Sequence, residues 1–117
     1  MSIVEFLEAR LAEDEAMARA ASHQKVAGPF HGDWRRDSFH LSSMEREDAA
    51  HIARHDPARV LAECAAKRAI IANRERIDRS ANEDEWSMGY SDANYEALRS
   101  LAAVYNSHPD YREEWAK

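Results

Sequence analysis

Hydrophobic and polar residues alternate along this chain with a helical period. In IVEFLEARLAEDEAMARAAS, apolar residues fall at Ile3, Val4, Leu7, Leu11, Ala18 and Ala21. At 100° per residue these share one stripe, which predicts an amphipathic helix over residues 3–22. Ser2 followed by Glu5 predicts its start, as a capping box in which each side chain bonds the other residue's amide. Residues 23–44 lose the period. Gly28, Pro29 and Gly32 break any helix, and the aromatic segments of WRRDSFHL predict a small β-hairpin or loop at about 30–42, with Trp34 and Phe39 turned inward. MEREDAAHIARHD reads as a short helix, with acids early and histidines late, as the helix dipole favours. Pro57 suits the first position of a new helix and Asp56 its cap. That helix is expected to run from Pro57 to Arg79, with Val60, Leu61, Cys64, Ile70, Ile71 and Ile77 apolar. SANEDEWSMGYSD reads as an acidic connection carrying Trp86. A last long helix is expected over residues 93–106, with Tyr95, Leu98, Leu101, Ala102 and Tyr105 on one face. Beyond Pro109, Tyr111 and Trp115 stand four apart and can dock.

The expected fold is mainly α. It is a small bundle of three principal helices plus a short one, in a single domain of 117 residues. Composition agrees: 44% hydrophobic, 32% charged, and only three glycines and three prolines. No run approaches the roughly 18 apolar residues of a membrane span. MSIVEFLEAR lacks the basic start and apolar core of a signal peptide. With one cysteine, Cys64, no internal disulfide can form, which fits a reducing, cytoplasmic setting. The net charge of -6 and the interleaving of bases with acids disfavour nucleic acid as a partner. A reading as a nucleic-acid-associated factor would need Arg35, Arg36, Lys67, Arg68, Arg74, Arg76 and Arg79.

Two sets of residues carry candidate chemistry. With Leu7 at 0°, Leu11 falls at about 40°, Ile3 at about -40° and Asp14 at about -20°, inside the stripe. A carboxylate there needs a partner. On the helix from Pro57, with Val60 at 0° and Cys64 at about 40°, Lys67 lies at about -20° with Arg68 on its flank. A pair between Asp14 and Lys67 or Arg68 is the simplest expectation, and a cleft built on the same charges is the alternative. His51 and His55, four apart, have the spacing at which two imidazoles can hold zinc or another divalent metal. Ile52 stands where the common zinc motif has Glu, so a third ligand would have to be Asp14, His108 or Asp110. The competing reading is that these histidines complement a helix C-terminus. Cys64 is expected to pack rather than react. No Gly-rich phosphate loop and no G-x-S-x-G elbow is present.

FLEARLAEDE, HIARHDPARVLAECAAKRAI and HPDYREEW, in that order, resemble a family of small uncharacterised proteins from actinobacteria and their phages. The resemblance implies a source and a cytoplasmic setting and brings no activity with it. Together these features favour a non-enzymatic interaction or regulatory module, such as an accessory protein of a mobile element. Its partner would be a protein, a second copy of the chain included, held by Trp86 and Trp115 as anchors. The alternative is a metal-dependent or acid/base enzyme using His51, His55 and Asp14.

Overall fold

The computed structural model describes residues 1–22, 45–80 and 84–116. The hairpin or loop expected at about 30–42, with Trp34, Arg35, Arg36 and Phe39, lies outside them. Within the described residues the chain is mainly α. Three long helices, α1 (Ile3–Ser22), α3 (Pro57–Arg79) and α4 (Glu85–Ala103), are joined by short α2 (Arg46–Arg54) and followed by a 3-10 turn, Glu113–Trp115. No strand is present among these residues. No described helix is long and apolar enough to cross a membrane.

The helix ends follow the local chemistry. Ser2 and Glu5 form the capping box. The Ser2 amide donates to Glu5 Oε2 at 2.8 Å and the Glu5 amide to Ser2 Oγ at 3.1 Å. α2 ends at His55, whose amide reaches the carbonyls of His51 and Ile52. Asp56 then caps α3, its Oδ1 accepting from the Arg59 amide at 2.9 Å, and Pro57 opens the helix with no amide left to satisfy.

α4 starts eight residues before the expected position. Asp84 is its N-cap, and its carboxylate accepts from the Ser87 amide at 2.7 Å. The acidic run that reads as a connection is therefore in part the first turn of a helix, where acids face the positive dipole end. Trp86 sits on α4, not in a linker. The Ser87 hydrogen bonds hold the fully exposed Asp84 carboxyl below its usual value of 3.8. A depressed carboxyl stabilises the fold above its unfolded pKa and loses that contribution as pH falls through the folded value. Acidification below about 3.8 should therefore fray the first turn of α4, and Asp84→Ala should fray it at neutral pH while Asp84→Asn preserves it. Amide exchange at Ser87 and Met88 reads this directly. Equal protection in all three proteins would show that the cap contributes nothing.

The described chain divides into two compact units, residues 1–11 with 66–117 and residues 12–65, so α1 and α3 each contribute to both. In the first, Ile3, Phe6, Leu7, Leu11, Ile71, Ile77, Leu98, Ala102 and Trp115 are buried. α3 and α4 are tied there by Arg74, which donates to the Ser91 carbonyl at 3.1 Å, to Ser91 Oγ at 2.7 Å and to Asp78 at 2.7 Å. In the second, Ala18, Asp56 and Cys64 are buried, and Cys64, which forms no disulfide, is packed inside as expected.

Candidate functional site

The polar cluster with the most defined geometry is at the C-terminal end. After α4 the chain turns at His108-Pro-Asp, with the His108 amide on the Tyr105 carbonyl and the Tyr111 amide on the His108 carbonyl, both at 2.9 Å. This turn folds the terminal aromatics around Phe6. Ring centroids lie 5.0 Å (Trp115), 5.8 Å (His108), 6.0 Å (Tyr111) and 6.3 Å (Tyr105) from that of Phe6. Tyr111 and Trp115 dock edge to face at 5.7 Å, as their spacing predicts. Arg10, only 7% exposed, stacks its guanidinium over Phe6 at 5.3 Å.

Arg10 Nη1 lies 2.8 Å from His108 Nδ1, and the Asp110 amide donates to the same nitrogen at 3.0 Å. A guanidinium and a backbone amide can only donate, so Nδ1 holds a lone pair and the ring proton is on Nε2. Asp110 Oδ2 stands 3.8 Å from Arg10 Nη1. Arg99 completes the fastening, its Nε 3.3 Å from the Trp115 carbonyl and its Nη1 on Glu96 at 2.6 Å. The Arg10–His108 and Arg99–Trp115 contacts hold the C-terminal segment over α1 and α4. His108 and Asp110, considered above as metal ligands, serve Arg10 instead.

The other singled-out residues stand on α1, α2, α3 and α4. Asp14 is half-buried, as are Lys67 and Arg68. Among the described residues the buried charged ones are Arg10 and Asp56, while Asp14 is half-buried. The stripe of α1 is centred further round the helix than Leu7 and Leu11 suggest, because Phe6, at about -100°, is fully buried and brings Arg10, at about -60°, inside. Phe6 and Arg10 are thus the residues that sequence reasoning missed, and their four-residue spacing was the available signal. His51 and His55 are exposed at the end of α2, with ring centroids 4.7 Å apart. Among the described residues no group of three His, Cys, Asp or Glu side chains is placed to hold a metal ion, so Asp14 does not complete a site with them.

The two described tryptophans divide clearly. Trp115 is 3% exposed and part of the core, whereas Trp86 is 83% exposed. Trp86 is accompanied on the first half of α4 by Met88 and Tyr90, both more than half exposed. A groove where α3 ends and α4 begins is lined by Ile77, Trp86, Met88 and Tyr90 together with Arg76 and Asp92. A smaller apolar hollow beside it is bounded by Glu85, Trp86, Gly89 and Tyr90. Exposed acids Asp84, Glu85 and Asp92 flank the aromatics.

Gly89 lies inside α4, between Trp86 and Tyr90. A Cβ built there would meet nothing within 4 Å, and no unusual backbone angle requires glycine. A mid-helix glycine costs about 1 kcal/mol relative to alanine. Gly89→Ala should therefore raise stability by roughly 0.5–1 kcal/mol in denaturant unfolding. A loss of stability would show that the site is more crowded than it stands here.

A model of a family of unknown function, DUF6221, matches residues 1–117, and the chain belongs to that family. No curated protein and no solved structure matches it.

Proposed function

We propose that this DUF6221 protein is a non-enzymatic interaction module that holds a protein partner against the first half of α4. The observation that carries the reading is Trp86, 83% exposed on an ordered, capped helix and next to Tyr90 and Met88. An indole left in water on a rigid element is an unfavourable arrangement for a lone chain and a favourable one for a complex. Aromatic side chains bury 150–250 Å² each and dominate interface energetics. Gly89 supports the same reading. The chain carries its helical cost with no internal reason for it, and the missing side chain lets a partner approach between the two rings.

The partner's chemistry follows from the surroundings. Asp84, Glu85 and Asp92 flank the rings, and the chain as a whole carries -6. A partner segment with an apolar anchor and Lys or Arg beside it would meet both, since cations also favour the faces of Trp and Tyr.

The experiment compares three immobilised full-length proteins, wild type, Trp86→Ala and the control Val104→Ala, in capture from a lysate of the natural host. Val104 is also well exposed, at 67%, but stands past the end of α4. A species held by wild type and Val104→Ala and lost by Trp86→Ala supports the reading. Capture that is identical for all three overturns it.

A further inference from the structure

We propose that His51 and His55 form a two-imidazole chelate for a borderline-soft divalent ion of the zinc, nickel or copper kind, and that the bound ion fastens α2. The ligand set differs from one built with Asp14: two protein nitrogens, with the remaining positions taken by water.

The geometry points to it first. Zinc bonds imidazole nitrogen at 2.0–2.1 Å, so an ion on the axis of each ring sits about 3.2 Å from each ring centre. For nitrogen–metal–nitrogen angles between 90° and the tetrahedral value, the two ring centres then stand about 4.5–5.2 Å apart. The His51 and His55 centroids are 4.7 Å apart, tilted by 46°. The two rings are thus held at chelating separation, and both face solvent, where an ion can enter. Only the ring contact between them engages these side chains among the described residues.

The position on the helix adds a second argument. His51 lies in the last turn of α2 and His55 is its C-cap. This is the negative end of the helix dipole, where a cation is stabilised. Glu47 stands one turn before His51 on the same face and adds negative charge there. Arg54, exposed in the same turn, opposes the ion and sets the site toward weak, exchangeable binding.

α2 is also the element with most to gain. It has nine residues, no side-chain cap at its start and no buried residue. Helices this short are marginal without outside support. An ion bridging residues four apart links consecutive turns, and any ligand that binds the folded helix alone stabilises it by mass action.

The test is calorimetric titration of the full-length, tag-free protein with zinc and separately with nickel, followed by amide exchange in α2. The expected result is one ion per chain. Affinity should fall at least about tenfold in each of His51→Ala and His55→Ala, equivalent to about 1.4 kcal/mol. Protection of the α2 amides should rise with metal in wild type and not in either variant. His51→Gln and His55→Gln, which keep helix propensity, should behave like the alanine variants. No binding by the wild-type protein, or binding that survives both substitutions, overturns the proposal, and so does binding that leaves α2 exchange unchanged.

Discussion

Replacing Trp115 with alanine is expected to cost the fold about 3–5 kcal/mol, the range for truncating a large buried aromatic. The indole is 3% exposed, lies 5.0 Å from the Phe6 ring and 5.7 Å from that of Tyr111, and has the Arg112 guanidinium 5.9 Å above it. Its backbone carbonyl receives Arg99. Removing the ring leaves a cavity against Phe6, which is fully buried and cannot move outward to fill it without exposing itself. It also frees the segment that carries His108, and with it the acceptor for the buried Arg10 guanidinium. Small domains have roughly 5–15 kcal/mol in total, so the loss is a large share of it. Thermal unfolding followed by far-UV circular dichroism should show a midpoint lower by roughly 10–20 °C. A shift below about 5 °C would mean that the C-terminal segment is not part of the core.

Replacing Trp86 is expected to do the opposite. With 83% of the residue in water, Trp86→Ala should change stability by less than about 0.5 kcal/mol, as exposed positions do, and alanine is the better helix former. Its effect should be on association. An aromatic at the centre of an interface commonly costs 2 kcal/mol or more when truncated, or about 30-fold in Kd. Two tryptophans of one chain would then separate cleanly, one needed to fold and one needed to bind. Tyr90→Ala should follow Trp86→Ala with a smaller effect, since Tyr90 buries less area and is already half covered.

Much of the architecture was legible in the residues, and the reasons are local. Ser2 and Glu5 specify their own hydrogen bonds, and Asp56-Pro57 can do little else than end one helix and begin another. The starts of α1 and α3 follow from such signals. The start of α4 was not legible because an acidic polar run has two meanings. It can be a solvated connection or a first turn under a cap, and the choice rests on whether Asp84 reaches the Ser87 amide. α4 also runs through Gly89 undisturbed.

The site was less legible than the fold. Asp14 drew attention because it falls in the stripe defined by Leu7 and Leu11. The burial of Phe6 turns that stripe, so that Arg10 goes inside and Asp14 stays half-buried. Arg10 is tolerated in the core because His108 accepts from it, 98 residues along the chain. No periodicity links positions so far apart. Trp86 and Trp115 likewise look alike in sequence, since each is a tryptophan among acids. Only the fold of the C-terminal turn over Phe6 decides which of them is covered.

The measurement that bears most directly on the central claim is the affinity of wild type and Trp86→Ala for the captured partner, by calorimetry on proteins shown by thermal unfolding to be equally stable. A Kd raised about 30-fold or more by the substitution is the expected result. A Kd within about twofold of wild type would contradict the assignment of this face of α4 as the binding surface.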